Sequence, residues 1–293
     1  FCSGILRGLG RVGILLGFGV GILLFSFFYE TGAGLQEHLI ASALASAIYL
    51  ACSPFLDRLL GSSQRVSRPH ACRLRVETGF AQLAKPDEPL CGDSMVATPL
   101  DSHRFLLVVS DGMGTGVDAG RESRIVTRMV EELVSSGTPL DVAAGVVNTA
   151  LYMRGGEESA ATIDLALIDL SLGIAEFLKA GAPPSFIKSG RSVEMIRSIC
   201  WPAGILDKLE PEVLRRNVQP GDLLVMVTDG VTGVEEGGSA PGEWLYGFLQ
   251  GLAVEEPQAV ADLILKQALK GDRQRRDDMT VLVARFLDIS DAG

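Results

Sequence analysis

The sequence of this protein is organised around one stretch, RFLLVVSDGMGTGVDA at residues 104–119. Its first half is a continuous apolar run, which is typical of a strand buried on both faces. Asp111 ends that run, and the glycine that follows allows the chain to turn sharply at the strand end. An aspartate in this position costs free energy unless a partner neutralises its charge. Taken alone, the Asp-Gly pair also fits an ordinary turn.

Three further aspartates occupy comparable positions. Asp229 follows the apolar run DLLVMVT, Asp278 directly precedes the run MTVLVARF, and Asp93 lies in the turn CGDS before another extended segment. Carboxylates that converge from neighbouring strand ends form an oxygen-rich pocket of the kind that Mg²⁺ or Mn²⁺ prefers. The recurrence of the pattern therefore favours a divalent-metal site over a set of unrelated turns.

The remaining pattern predicts a domain of mixed helices and strands from residue 72 onward. Turn signals at Gly173, Gly190 and 220–221 indicate hairpins, and hence mainly antiparallel sheets. Many strands combined with helical pairs predict an α+β fold in which two sheets pack together and helices flank them. Helices are predicted at 118–136, 242–252 and 257–270. A further helix is predicted to run to residue 153, with an N-cap at Thr138 and a first-turn proline at Pro139.

The front of the chain differs in character from the rest. Residues 12–29 and 38–56 contain no Asp, Glu, Lys or Arg, and each is about long enough to cross a bilayer as a helix. Arginines flank the pair on both outer sides, so both ends are expected in the cytoplasm. We therefore predict a transmembrane hairpin (1–60), a linker (61–71), the main domain (72–288) and a tail (289–293). A buried helical hairpin, and a signal peptide for the first segment, are the alternatives; the Phe1 start suggests a fragment of a longer protein.

Charge and cysteine content exclude some functions. The net charge is −10, and the acidic excess lies downstream of residue 71, which argues against nucleic acid as a partner. The five cysteines show no CxxC spacing, so we interpret them as free thiols of a reducing compartment. A catalytic thiol at Cys91 is disfavoured because no histidine is an evident partner.

The stretch 111–119 also contains GxGxxA between a predicted strand and a predicted helix, which is the outline of a dinucleotide-binding loop. Two features oppose this alternative. Asp111 would repel a pyrophosphate, and two helices precede the next strand. A P-loop nucleotide hydrolase is not supported either, because no GxxxxGK[ST] motif is present.

Four separated motifs carry a family resemblance: GDS at 92–94, SDGMGTG at 110–116, TDG at 228–230 and DDMTVLVARF at 277–286. In this order they resemble the metal-dependent protein phosphatases of the PPM (protein phosphatase 2C) type. More narrowly, residues 161–190 are similar to the phosphatase domain of stage II sporulation protein E. The resemblance implies a PPM-type β-sandwich flanked by helices (α-β-β-α).

The resemblance also implies a metal centre of two Mn²⁺ or Mg²⁺ ions. It assigns Asp111 as a ligand of both ions, and the backbone oxygen of Gly112 as a ligand in the coordination shell of one ion. It assigns Asp229 and Asp278 to the second ion, and Asp93 to the first, directly or through water. A metal-activated water would then attack the phosphoserine phosphorus without a phosphoenzyme. Two departures leave the general acid open: Met113 stands where the eukaryotic branch often has histidine, and no arginine lies just upstream of Asp93.

The function implied is that of a serine/threonine protein phosphatase acting on a phosphorylated anti-sigma-factor antagonist, which activates a sporulation sigma factor. The implied location is the cell membrane, as a multi-pass protein with its phosphatase domain in the cytoplasm. The alternative is a catalytically inactive, phosphatase-like binding or sensor module at the membrane, against which the presence of all four aspartates speaks. Whether the chain forms a homo-oligomer stays open.

Overall fold

The computed structural model describes residues 74–114, 116–155, 159–233, 242–271 and 277–289. These residues fall within the compact unit Arg68–Gly293. The predicted membrane segments, 12–29 and 38–56, and the linker 61–71 lie outside the described residues. In the part of the chain that is described, no helix is both long and apolar enough to span a membrane.

The described residues form ten strands in two five-stranded sheets. Sheet A has the order β1-β10-β9-β6-β7 and sheet B the order β2-β3-β4-β5-β8. Every pairing is antiparallel, as the hairpin signals predict. The strands are β1 Leu74–Leu83, β2 Asp93–Pro99, β3 Arg104–Asp111, β4 Ile163–Asp169, β5 Ile174–Ala180, β6 Ser185–Ser189, β7 Ser192–Ile196, β8 Val213–Asn217, β9 Leu223–Val227 and β10 Met279–Asp288.

Helices cover the outer face of each sheet. Helices α1 and α2 share a buried apolar cluster with strands of sheet B, and α4 and α5 share another with strands of sheet A. The layers are therefore α-β-β-α, and the predicted α+β sandwich is confirmed. The helices are α1 Gly116–Ser135, α2 Leu140–Arg154, α3 Asp229–Thr232, α4 Glu243–Gly251 and α5 Pro257–Gly271.

The continuous apolar run of β3 reflects its central place in the sandwich. Leu106 and Val108 pack towards α1 and α2, whereas Leu107 and Val109 pack into the core between the two sheets. Successive side chains of a strand point to opposite faces, so a strand covered on both sides needs apolar residues at every position. The apolar run therefore ends at Asp111, where β3 is no longer packed on both faces.

A buried polar group links the two sheets inside this core. Lys179 of β5 and Asp164 of β4 form an ion pair with 2.6 Å between Nζ and Oδ2. Ser185 of β6, in the other sheet, donates its hydroxyl to Asp164 Oδ2 (2.7 Å) and accepts from Lys179 Nζ (2.8 Å). Each of the three side chains is at most 1% exposed.

One prediction at a helix start needs correction, and one short helix was missed. Pro139, not Thr138, is the N-cap of α2, and no side chain caps this helix. The Thr138 hydroxyl lies 3.2 Å from the Ser136 hydroxyl instead, because both belong to the turn that joins α1 to α2. Helix α3 was not predicted, since four residues are too short to show helical periodicity.

The dinucleotide-binding alternative does not fit this topology. Helix α1 leads into α2, and the next strand, β4, runs antiparallel to β3. A dinucleotide-binding loop requires a parallel strand after one helical crossover.

Candidate active site

The four predicted aspartates lie at one edge of the sandwich, two from each sheet. Asp93 begins β2 and Asp111 ends β3, and the two face each other in the strand register. Asp229 begins α3 just after β9, and Asp278 directly precedes β10, the neighbour of β9 in sheet A. The structure therefore brings together the residues that the sequence placed at separate strand ends.

Asp278 is fixed by close backbone contacts. The backbone N–H of Gly92 donates to its Oδ2 (2.8 Å), and the N–H of Lys85 donates to its Oδ1 (2.9 Å). A Cβ on Gly230 would lie 2.0 Å from the Asp278 carbonyl oxygen, so only glycine permits this approach. A Cβ on Gly92 would likewise lie 2.8 Å from Asp278 Oδ2. The carboxylate of Asp278, next to sheet A, is thus hydrogen-bonded to the segment that leads into β2 of sheet B.

Asp93 is held from the opposite sheet. It is 5% exposed, and its Oδ2 accepts a hydrogen bond of 2.9 Å from the Thr228 hydroxyl. The same hydroxyl accepts from the backbone N–H of Thr280 (2.9 Å). Gln82 donates to the Thr280 hydroxyl (3.1 Å) and to the Asp93 carbonyl oxygen (3.2 Å). The other carboxylate oxygen of Asp93, Oδ1, is buried and has no partner among the described residues.

Asp111 is positioned through β4. Its backbone N–H donates to the Thr162 hydroxyl (2.8 Å), and its carbonyl oxygen accepts from the Thr162 N–H (2.8 Å). Burial, followed by the nearby charges of Asp93 and Asp229, raises the pKa of Asp111 to about 9. The carboxyl group therefore lies in a field created by its acidic neighbours.

The same crowding acts on the other carboxylates. Burial raises the pKa of Asp93 to about 7, and the charges of Asp278 and Asp229 add to that rise. Asp229 is exposed as a residue, yet desolvation, followed by the charge of Asp277, raises the pKa of its carboxyl group. All three shifts run in the direction that burial and neighbouring carboxylates produce.

A divalent cation fits this donor set. The described residues contain no group of three or more His, Cys, Asp or Glu side chains already arranged as metal ligands. However, the unpaired Oδ1 of Asp93 and the raised pKa values of Asp93, Asp111 and Asp229 mark a place where a cation would be stabilising. Carboxylate oxygens are the ligands that Mg²⁺ and Mn²⁺ prefer.

Helix α1 is seated directly on the glycine turn after Asp111. A Cβ on Gly112 would lie 2.0 Å from the carbonyl oxygen of Ala119 in α1. Gly112 also forms a β-bridge with Ala161, and the N–H of Met113 donates to the Ala160 carbonyl oxygen (2.9 Å). The position of α1 is therefore coupled to the edge that carries the aspartates.

The structure opposes a catalytic role for Cys91. Burial raises the pKa of its thiol to about 12, with nearby Asp93 adding to the rise. Nucleophilic cysteines need a lowered pKa. Cys91 and Cys200, the two cysteines in the described residues, are free thiols, as predicted.

Sequence reasoning missed the hydroxyl groups that support the aspartates: Thr162, Thr228 and Thr280. For Thr228 and Thr280 the available signal was a threonine directly before or two residues after a candidate aspartate, whereas Thr162 adjoins no candidate aspartate. The contact partners could not be deduced, because Thr228 reaches Asp93 across the two sheets, 135 positions away in the chain.

Comparison with known proteins identifies the family. Residues 101–287 match the family described as Stage II sporulation protein E (SpoIIE). The chain belongs to the SpoIIE family. It is 34% identical over 213 residues to the SpoIIE protein of Bacillus subtilis, covering 72% of this chain and 26% of the relative. It is also 34% identical over 212 residues to the SpoIIE protein of Priestia megaterium, and this match covers 72% of this chain and 36% of the relative. The match thus spans about a third or less of these relatives.

Solved structures narrow the relationship to one part of SpoIIE. The PP2C phosphatase domain with a fragment of the regulatory domain of B. subtilis SpoIIE has a TM-score of 0.67 at 34% identity, covering 72% of this chain and 63% of that one. The SpoIIE phosphatase domain alone has a TM-score of 0.61 at 32% identity, and the match covers 75% of this chain and 96% of that one. The chain therefore contains a SpoIIE-type protein phosphatase domain of the PPM class. The catalytic domain of the phosphatase PstP shares the fold, with a TM-score of 0.58 at 18% identity.

Proposed function

We propose that this chain hydrolyses phosphoserine or phosphothreonine in a protein substrate with the help of two Mn²⁺ or Mg²⁺ ions. The ligands are Asp93, Asp111, Asp229, Asp278 and the backbone oxygen of Gly112. The observation that carries the proposal is the meeting of four carboxylates from two sheets at one edge, where burial and the neighbouring carboxylates raise the pKa values of three of them. The similar fold of the PstP domain, which was solved in complex with two manganese ions, supports the choice of metal.

The chain's own groups keep the site rigid for this reaction. Divalent cations held by these aspartates would lower the pKa of a water molecule and offset charge on the phosphoryl oxygens. Thr228 orients Asp93, and the N–H groups of Lys85 and Gly92 orient Asp278. Thr162 fixes the backbone of Asp111. Preorganised ligands of this kind reduce the reorganisation needed during phosphoryl transfer.

The proposed substrate is a phosphorylated anti-sigma-factor antagonist, and its dephosphorylation would activate a sporulation sigma factor. Support comes from membership of the SpoIIE family and from the resemblance of the four motifs. The strongly acidic main domain also agrees with a protein substrate rather than a nucleic acid.

The proposed location is the cell membrane, with residues 12–29 and 38–56 as the spanning segments and the phosphatase domain in the cytoplasm. The absence of charged residues from both segments and the arginines outside them support this topology. Cysteine labelling from outside intact cells tests it. A cysteine introduced between the segments, at Gly34, should react, and Cys200 should not; labelling of neither site would contradict the hairpin.

The enzymatic proposal is tested by incubating the chain with a phosphoserine anti-sigma-factor antagonist and following phosphate release with and without Mn²⁺. We expect release with Mn²⁺ and its loss after EDTA treatment or in Asp111→Asn. Binding of Mn²⁺ and of the antagonist without phosphate release would support the inactive sensor module instead. Sedimentation of the same sample determines whether a homo-oligomer forms.

A further inference from the structure

Helix α1 carries three exposed arginines near the acidic edge, and they differ in their partners. Arg121 pairs with the buried Glu122 at 3.6 Å, and Arg154 of α2 pairs with the same carboxylate at 3.2 Å. Arg124 and Arg128 are exposed and form no ion pair or hydrogen bond within the described residues. Two cationic side chains of α1 are therefore available to an anion.

The guanidinium of Arg124 lies beside Gly120, near the turn that leads to Asp93. Its Nη1 and Nη2 lie 3.2 and 3.4 Å from the place that a Cβ on Gly120 would take. The side chain thus runs back towards the start of α1, as long helical side chains do. The same Cβ position at Gly120 lies 2.8 Å from the carbonyl oxygen of Cys91, two residues before Asp93. Arg124 therefore lies beside the turn that precedes Asp93.

The charge balance of the site leaves a need for this cation. Two divalent ions neutralise four carboxylates, so a phosphoryl dianion would meet a site without excess positive charge. The segment KPDEPLCG just upstream of Asp93 contains no arginine. A planar guanidinium can bind two phosphoryl oxygens at once, which a metal-ligand carboxylate cannot do.

We propose that Arg124 binds the phosphoryl group of the phosphoprotein substrate, a role that rests on the proposed phosphatase function. Arg128 provides the matched control. It is exposed and unpaired on the same helix, but it lies one turn, about 6 Å, farther from the acidic edge.

The experiment compares the wild-type chain with Arg124→Ala, Arg124→Lys and Arg128→Ala in saturating Mn²⁺. Two substrates are used, the small ester para-nitrophenyl phosphate and the phosphoserine antagonist. Loss of a charge-assisted hydrogen bond predicts that Arg124→Ala lowers kcat/KM about 10- to 100-fold on both substrates. Arg124→Lys should keep part of the activity, and Arg128→Ala should stay within about twofold of wild type.

Binding measurements separate this role from a structural one. Isothermal titration of the Mn²⁺-loaded proteins with inorganic phosphate should show weaker binding to Arg124→Ala by a similar factor. The Mn²⁺ affinity and the Tm should be the same in Arg124→Ala and Arg128→Ala. A wild-type chain that binds Mn²⁺ and phosphate without turnover would contradict the phosphatase proposal, and the titration would still test Arg124.

Three results would overturn the assignment. The first is equal kinetics and equal phosphate affinity in Arg124→Ala and Arg128→Ala. The second is a loss confined to the phosphoprotein, which would place Arg124 against the protein surface instead of the phosphoryl group. The third is a fall in Mn²⁺ affinity that accounts for the lost activity.

Discussion

Asp93 and Asp111 face each other at the ends of neighbouring strands, and burial and acidic neighbours dominate their surroundings. Both pKa values lie well above the ordinary value of 3.8. Each raised pKa is also a statement about stability, because the folded state then holds protons that the unfolded chain releases.

The metal-free domain should lose stability as the pH rises. For a carboxyl group whose pKa is raised by folding, the stabilisation is present below the unfolded pKa and is lost as the pH rises through the folded pKa. With folded values of about 7 for Asp93 and about 9 for Asp111, the loss extends from about pH 4 to pH 9. Thermal unfolding in EDTA should give a higher Tm at pH 5.5 than at pH 8.5, and Mn²⁺ should raise the Tm more at pH 8.5. A Tm in EDTA that rises over this range would contradict the crowding of these carboxylates.

Thr228 should matter for metal affinity because its hydroxyl holds Asp93. Thr228→Val keeps the shape but removes the hydrogen bond to a charged group, which is worth about 1.5–3 kcal/mol. We expect Mn²⁺ affinity to fall about 10- to 100-fold, and Thr228→Ser to retain most of it because serine keeps the hydroxyl. Calorimetric titration with Mn²⁺ measures both variants. Equal affinity in Thr228→Val and wild type would remove Thr228 from the site.

At the scale of secondary-structure elements, the contact between β3 and α1 connects the site to the helical layer. Gly112 does not have a positive φ, so its requirement for glycine is steric and arises from the carbonyl oxygen of Ala119. Gly145 in the middle of α2 provides the opposite case, since a Cβ there would meet nothing within 4 Å.

Gly112→Ala should therefore displace α1 and destabilise the domain by about 1–3 kcal/mol, with loss of phosphatase activity. Gly145→Ala should stabilise it by up to about 1 kcal/mol, because alanine favours the helix, and should leave activity unchanged. Chemical denaturation and phosphate release measure the pair. Similar stability and activity in the two variants would show that α1 is not seated on the glycine turn.

Individual elements were predictable where one local rule controls them. The apolar runs before Asp111 and Asp229 and after Asp278 predicted buried strands, and those strand ends predicted the acidic edge. The side chains that hold Asp93 were not predictable, because they come from sheet A and sequence periodicity does not reveal which sheets face each other. The cap of α2 was misplaced for a local reason, since Thr138 bonds within the preceding turn.

At the scale of the whole molecule, the two sheets are joined by the buried group of Lys179, Asp164 and Ser185. Burial lowers the pKa of Lys179, while Asp164 opposes this shift. The pair is costly to bury, so its value to the fold depends on both partners being present. The proposed active site draws two aspartates from each sheet and therefore depends on how the sheets are joined.

Lys179→Met should destabilise the domain by about 3–5 kcal/mol, because it leaves the Asp164 carboxylate buried without its cation. The double variant Lys179→Met with Asp164→Leu should regain much of that stability. Lys266→Met, on the exposed side of α5, serves as the control and should change stability by at most about 0.5 kcal/mol. Urea denaturation measures all three. A single variant as stable as the control would mean that the pair is not buried between the sheets.

In the proposed mechanism, one pair of divalent cations, held by aspartates from both sheets, drives hydrolysis of a phosphoprotein. The most direct measurement follows bound Mn²⁺ and phosphate release from a phosphoserine anti-sigma-factor antagonist in the same titration of wild type and Asp111→Asn. We predict that release by the wild type rises as two Mn²⁺ ions bind per chain, and that Asp111→Asn loses at least one ion and nearly all turnover. Release that persists in EDTA, or full activity in Asp111→Asn, would contradict metal-dependent hydrolysis at this site.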